Sequence, residues 1–257
     1  MSIREGVGKR GYSFPMSEPQ RSPVLDPSND GRKLAPKIAE LLEQEIIDAG
    51  WPVGRVMGSE SELLARLGVS RAVLREAIRV LEHHDVAFMR RGPGGGLVVK
   101  APDSAAAVRA CALSLGFRDA TWEQVFEARR VLELRSVEMA ARDIDETGIA
   151  SLREALAAEE RAQEAGIVGT HDLHITLAEI TGNPAFVLFI DVLTQLSSGG
   201  GSPERAPAAA TEVRRAHDKI VEAVIAGDAS LARHRMQAHL NAMGPWLNSE
   251  PAALQHD

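Results

Sequence analysis

The stretch Gly58–Leu81, GSESELLARLGVSRAVLREAIRVL, constrains the fold more than any other part of the chain. Ser59 stands three residues before Glu62, and the apolar residues Leu63, Leu64 and Leu67 follow. That is the pattern of a capping box opening a short helix. Gly68 can adopt the left-handed backbone that ends such a helix, and Ser70 can cap a second one. In the second helix Leu74, Ala77, Ile78 and Leu81 fall on an inward face, while Arg71, Arg75 and Arg79 recur every fourth residue on another. A short helix, a glycine turn and a helix with an arginine stripe is the layout of a helix-turn-helix. By itself the stripe also fits a solvated surface helix.

The next segment favours the helix-turn-helix. Val86–Met89 precedes Arg90-Arg91-Gly92-Pro93-Gly94-Gly95-Gly96, and Leu97-Val98-Val99 follows. Two short apolar runs around a glycine-rich connection predict a β-hairpin, and a hairpin with arginines at its tip in this place is a wing. The glycines do not form a phosphate-cradling loop, because no Gly-Lys-Ser/Thr follows and the next element reads as a strand. Candidate DNA contacts are therefore Ser70, Arg71, Arg75 and Arg79 on the second helix, and Arg91 and Gly92 in the wing.

From Leu34 to Val99 the sequence resembles the GntR family of bacterial transcription regulators. The residues that carry the resemblance are Gly54, Ser59-Glu60, Glu62-Leu63, Gly68-Val69-Ser70-Arg71, Leu74-Arg75-Glu76-Ala77, Arg79, Leu81-Glu82 and Gly92. It implies a winged helix that binds double-stranded operator DNA, working as a homodimer on palindromic sites. Met57-Gly58 replace the family's usual Leu-Pro. Ser61 stands where a DNA-contacting arginine is common, and Ala72 and Val73 stand where polar residues often occur.

The remainder of the chain reads as helical. Residues 1–32 lack periodicity and read as a flexible arm, in which Arg4, Lys9 and Arg10 are further basic groups. Leu34–Asp48 is an amphipathic helix, and 33–100 forms the DNA-binding domain. Lys100–Ser104 is a linker, with Ser104 as the cap of the next helix. From there to about 250 the pattern predicts helices at 104–115, 121–142, 146–164, 170–181, 184–197, 208–226 and 228–248, and no strand. Six or seven helices of this length suggest an antiparallel bundle, and the family resemblance implies that it binds effector and dimerises. The fold class is mainly α, with one small β-hairpin. Net charge is −7, but residues 31–100 hold 11 Lys/Arg against 9 Asp/Glu, while 101–257 hold 14 against 23. The acidic part should face away from phosphates. One cysteine, Cys111, excludes an intramolecular disulfide framework. The absence of an apolar run of membrane-spanning length and of a signal-peptide core predicts a cytoplasmic protein without membrane contact.

Three histidines lie on apolar helical stripes: His174 with Leu177, Ala178 and Thr181; His217 with Ile220, Val221 and Val224; His239 with Met236 and Met243. Two readings stand. They are separate core histidines, each with a local partner, or they converge on a transition metal. The later half resembles the FCD ligand-binding domain of the family's FadR branch, through Glu127-Ala128-Arg129, Leu132-Glu133, Met139-Ala140-Ala141, His174, Leu177-Ala178, Thr181-Gly182-Asn183, His217, Gly227-Asp228, Ala232 and His239-Leu240. The resemblance implies a divalent metal such as zinc on His174, His217 and His239. The family's aspartate falls at Thr170, and Asp172 is two residues from His174 on a different face, so His171, water or effector is left for that position. Other members of the branch bind acyl-coenzyme A without metal. Arg129 shares a face with Val125, Phe126 and Leu132. Its partner is either Glu133, one turn on, or the carboxylate of a small metabolite. A metal-dependent hydrolase is the rival class, but no His-Glu-x-x-His is present, and the chain reads as a regulator rather than an enzyme.

Overall fold

A computed structural model of the chain describes residues 31–165, 172–198 and 207–247. The chain divides into two compact units, Met1–Ala101 and Pro102–Asp257.

In the first unit α1 (Gly31–Asp48), α2 (Glu60–Leu67) and α3 (Arg71–His83) precede an antiparallel hairpin of β1 (Ala87–Arg90) and β2 (Gly96–Val99). The start of α2 is the capping box: Glu62 N–H donates to Ser59 Oγ at 3.3 Å, and Ser59 N–H donates to Glu62 Oε2 at 2.7 Å. Gly68 ends α2 at φ +64°, and Ser70 Oγ accepts from Val73 N–H at 3.4 Å to open α3. These caps fix a tight turn, so that α1, α2 and α3 share one core. Leu42, Ile46, Leu63, Leu74 and Leu81 are fully buried there together with Leu97 of β2. Burying each such side chain stabilises by about 1.5–3 kcal/mol.

The hairpin gains a partner that the periodicity does not reveal. Arg55–Gly58 runs beside β2, with Met57 N–H donating to Leu97 O at 2.7 Å and Leu97 N–H to Gly58 O at 2.9 Å. The approach is close at Gly96. A β-carbon there would lie 2.4 Å from Gly58 O, and the residue has φ +156°. Only glycine fits. Trp51 Nε1 donates to Lys100 O at 2.8 Å and ties the end of the hairpin back to the turn after α1.

In the second unit the described residues form α4 (Ala105–Gly116), α5 (Trp122–Asp143), α6 (Glu146–Glu164), α7 (Asp172–Ile180), α8 (Pro184–Ser198), α9 (Pro207–Ile225) and α10 (Ala229–Leu247). The helices begin and end within two residues of the sequence expectation. Short polar side chains set their starts. Thr121 and Gln124 form a capping box on α5, Asp145 Oδ1 accepts from Gly148 N–H at 2.7 Å, and Asp228 Oδ1 accepts from Leu231 N–H at 2.9 Å. Gly182-Asn183-Pro184 ends one helix and opens the next: Gly182 has φ +65°, Asn183 Oδ1 accepts from Ala185 N–H, and Pro184 occupies the first helical position. Helix α5 packs against α7, α8, α9 and α10. Its Val137, Ala140 and Ala141 are buried with Leu152, Leu173, Leu177, Ile220, Val224 and Leu240.

Two local expectations are corrected. Helix α1 begins at Gly31, three residues before Leu34, because its first residues carry no apolar signal. Ser104 does not cap α4 with its side chain. Asp103 Oδ1 accepts from Ala105 N–H at 2.9 Å, and Ser104 Oγ instead accepts from Gln195 Nε2 at 2.8 Å. The arm as far as residue 30, Thr170, His171 and the glycine stretch 199–201 lie outside the described residues. Among the described residues no helix is long and apolar enough to cross a membrane.

Candidate functional site

Arg71, Arg75 and Arg79 all lie on the exposed face of α3, opposite the buried Leu74, Ala77, Ile78 and Leu81. Arg75 Nε is 3.5 Å from Glu60 Oε1, and Arg79 Nη1 donates to Glu76 Oε2 at 3.0 Å. Arg91 and Gly92 are exposed at the hairpin tip, where Gly92 has φ +96° and Arg90 Nη2 donates to Gly94 O. Ser70 is committed to capping α3.

In the helical unit His174 on α7, His217 on α9 and His239 on α10 converge. Each is at most 4% exposed, and one ring nitrogen of each lies within 4.8 Å of those of the other two. His217 Nε2 and His239 Nε2 are 3.2 Å apart. Ligand nitrogens on a tetrahedral ion with bonds of about 2.0–2.1 Å sit roughly 3.3 Å apart, a spacing the His217–His239 pair already has, with the third nitrogen inside the 4.8 Å bound. The rings are held from behind. His174 Nδ1 pairs with Glu133 Oε2 at 2.6 Å, and His217 Nδ1 pairs with both Glu159 oxygens at 2.9 Å. A carboxylate behind an imidazole fixes its tautomer and raises its basicity toward a metal.

Arg129 points inward as its spacing predicted and is 0% exposed. Its Nε donates to Glu133 Oε1 at 2.5 Å and its Nη1 to Ser197 Oγ at 3.1 Å. Glu133 thus joins Arg129 to His174 through its two oxygens. Arg129 Nη2 and Ser136 Oγ, two turns apart on the same face of α5, have no hydrogen-bond partner among the described residues.

The electrostatics suit a cation. Burial favours the neutral imidazole and lowers the pKa of His174 against the pull of Glu133. Burial and the two neighbouring histidines push His239 down to about 2. Burial also works against the Glu133 carboxylate, but the charges of His174 and Arg129 and the hydrogen bonds from both outweigh it, giving a pKa of about 2. At neutral pH His174 is uncharged, so Arg129 and the two hydrogen bonds keep Glu133 ionised. The cluster therefore offers lone pairs in a buried site with fixed negative charge behind it.

Sequence reasoning found the three histidines and Arg129 but missed Glu159. A signal was present. Glu159 follows Leu152, Ala155 and Leu156 at helical spacing, an acid on an apolar stripe. It also left open the partner of Arg129, which is Glu133.

Comparison with known proteins agrees with both units. Residues 34–98 match the family of bacterial regulatory proteins of the gntR type, and residues 124–242 match the FCD domain. The chain is 28% identical over 162 residues to the Uxu operon regulator of Haemophilus influenzae, covering 62% of this chain and 59% of that one. Against the Uxu operon transcriptional regulator of Escherichia coli the match likewise spans 60% of the relative's length. It is 29% identical over 242 residues to a protein assigned as the regulator of the L-lactate dehydrogenase operon of Escherichia coli, covering 82% of this chain and 84% of that one. A solved GntR structure from Streptococcus agalactiae has the same fold, with TM-score 0.59 at 24% identity over 82% of this chain and 98% of that one. The chain belongs to the gntR family of bacterial regulatory proteins, with an FCD domain following its winged helix.

Proposed function

We propose that the chain is a ligand-responsive transcription regulator, binding operator DNA through α3 and the hairpin and a small carboxylate metabolite in the helical unit. The observation that carries the effector half is the convergence of three buried imidazoles from three helices, two of them backed by carboxylates. His174, His217 and His239 would hold a divalent transition metal such as zinc. When bound, the ion supplies a concentrated positive charge for a carboxylate oxygen. Arg129 is already neutralised by Glu133, so its contribution to an effector is the N–H donors of Nη2 rather than a counter-charge. The relative assigned to an L-lactate dehydrogenase operon supports the same class of effector, since L-lactate is a small 2-hydroxy carboxylate.

On the DNA side Arg71 and Arg75 read base edges, Arg79 and Ser70 support them, and Arg91 and Gly92 approach the backbone or minor groove. The regulator works as a homodimer, with Lys100–Ser104 as the hinge between its units. An effector shifts the DNA-binding equilibrium only by its differential affinity for two dimer geometries, typically about 1–3 kcal/mol, or roughly 5- to 150-fold in operator affinity.

The test begins with metal. Zinc at about 100 times its Kd stabilises a native-only site by about 2.7 kcal/mol. It should raise the melting temperature of the wild type, chelator should reverse the rise, and His217→Ala should not respond. Small 2-hydroxy and dicarboxylic acids are then titrated against operator binding, alongside acyl-coenzyme A thioesters. Zinc-loaded, desalted protein that retains no ion overturns the metal site. If only thioesters shift the melting curve, and His174→Ala still responds to them, the metal-free acyl-binding mode takes its place.

A further inference from the structure

Three arginines share the exposed face of α3, yet their guanidinium groups are committed in different ways. Arg79 spends one terminal nitrogen, Nη1, on Glu76 of its own helix. Arg71 has no ion-pair partner among the described residues. Arg75 is approached instead at Nε, by Glu60 from the first turn of α2. Contact at Nε leaves the two terminal nitrogens together on the far edge of the group, and a free planar edge is what a bidentate contact to O6 and N7 of guanine requires. The Glu60 oxygen concerned is shut off from solvent and makes no hydrogen bond. A carboxylate oxygen without water faces the inner edge of an arginine whose outer edge is free, and exclusion of water at a DNA surface strengthens that attraction.

We propose that Glu60 is a positioning residue for operator recognition: it holds Arg75 by Nε so that both terminal nitrogens face one guanine. Arg79, engaged with Glu76, contributes to affinity without reading a base. This rests on the reading of the chain as a DNA-binding regulator. The sign of the effect separates the role from simple charge. A bystander acid near DNA repels every duplex, so its removal raises all affinities alike. Removing a brace costs discrimination at one base pair and leaves non-cognate binding unchanged or stronger.

The experiment uses the full chain and a duplex selected from a random-sequence pool. Affinity is measured for every single base-pair substitution of the selected half-site and for a non-cognate duplex. Arg75→Ala locates the base pair that Arg75 reads, as the position where preference flattens. Glu60→Ala should lower preference at that same base pair by about tenfold, without weakening non-cognate binding. Glu60→Gln removes the charge that attracts the guanidinium and should lose most of the preference as well, and Glu60→Ala should add nothing in the Arg75→Ala background. Arg79→Ala should weaken all duplexes evenly. Wild-type base preference in Glu60→Ala overturns the proposal, as does an equal loss on cognate and non-cognate duplexes at unchanged melting temperature. A wild-type chain that selects no sequence overturns the regulator reading, and this proposal with it.

Discussion

Replacing Glu133 with glutamine puts the buried relay under direct strain. Both carboxylate oxygens are in use, Oε1 on Arg129 Nε at 2.5 Å and Oε2 on His174 Nδ1 at 2.6 Å. Glutamine has one oxygen and one NH2. The oxygen must serve Arg129, whose Nε–H can only donate. The NH2 then faces His174 Nδ1, which must become an acceptor, and the ring proton moves to Nε2, the nitrogen left to face the other histidines. Two effects follow. Arg129 stays buried without a counter-charge. Breaking a buried pair outright costs about 3–5 kcal/mol, and the surviving hydrogen bond places this case at the lower end. At about 3 kcal/mol, and about 2–4 °C per kcal/mol for a unit of this size, Tm falls by about 6–12 °C. The proton on Nε2 also lowers zinc affinity by about 10- to 100-fold, the usual loss when a ligating histidine loses its outer partner. Calorimetry gives the first number and competition against a chromogenic chelator gives the second. A Glu133→Gln protein that melts within about 2 °C of wild type and binds zinc normally would refute the relay.

Two further outcomes are expected. Arg71→Ala should cost about 1–3 kcal/mol of operator discrimination with the fold intact, and Arg91→Ala less, since a wing contact to backbone carries little sequence information; titration of a selected operator with wild-type affinity in Arg71→Ala contradicts this. The metal-free protein should lose stability as pH falls. The pKa values of His174 and His239 are lowered in the folded chain, the latter from 6.5 to about 2, so below about pH 6.5 the unfolded chain takes up protons that the folded one refuses. The loss approaches about 1.4 kcal/mol per pH unit for His239, and His174 adds to it in the same direction. Urea titrations in chelator across this range check it, and a flat profile contradicts it.

The sequence carried the parts of the fold that are local. Ser59, Glu62, Gly68 and Ser70 act within one helical turn of themselves, so their spacing alone predicts the turn between α2 and α3. Each histidine was legible because an apolar stripe must face inward and carries with it whatever shares its face. The pairing of Arg55–Gly58 with β2 was not legible, because four residues are too few for an alternating pattern and their partner lies some forty residues on. Glu60 and Glu159 were hidden for another reason. An acid on a helix reads as solvated until the neighbouring helix places an arginine or an imidazole against it. Ser104 shows the reverse error: a good cap by type, it is drawn away by Gln195, and Asp103 takes its place.

The 3.2 Å separation of His217 Nε2 and His239 Nε2 makes the three imidazoles unequal partners. His174 and His217 face carboxylates with Nδ1, so each keeps its proton there and leaves Nε2 bare. His239 must then carry its own proton on Nε2, because two bare nitrogens do not approach so closely. For the proposed ion, two of the imidazoles would present bare Nε2 atoms in advance and His239 would not. Seating that ion would require His239 to pass its proton from one side of the ring to the other, without net release to solvent. The speed of loading then reports on the surroundings of His239 Nδ1, and the affinity reports on the carboxylates behind the other two.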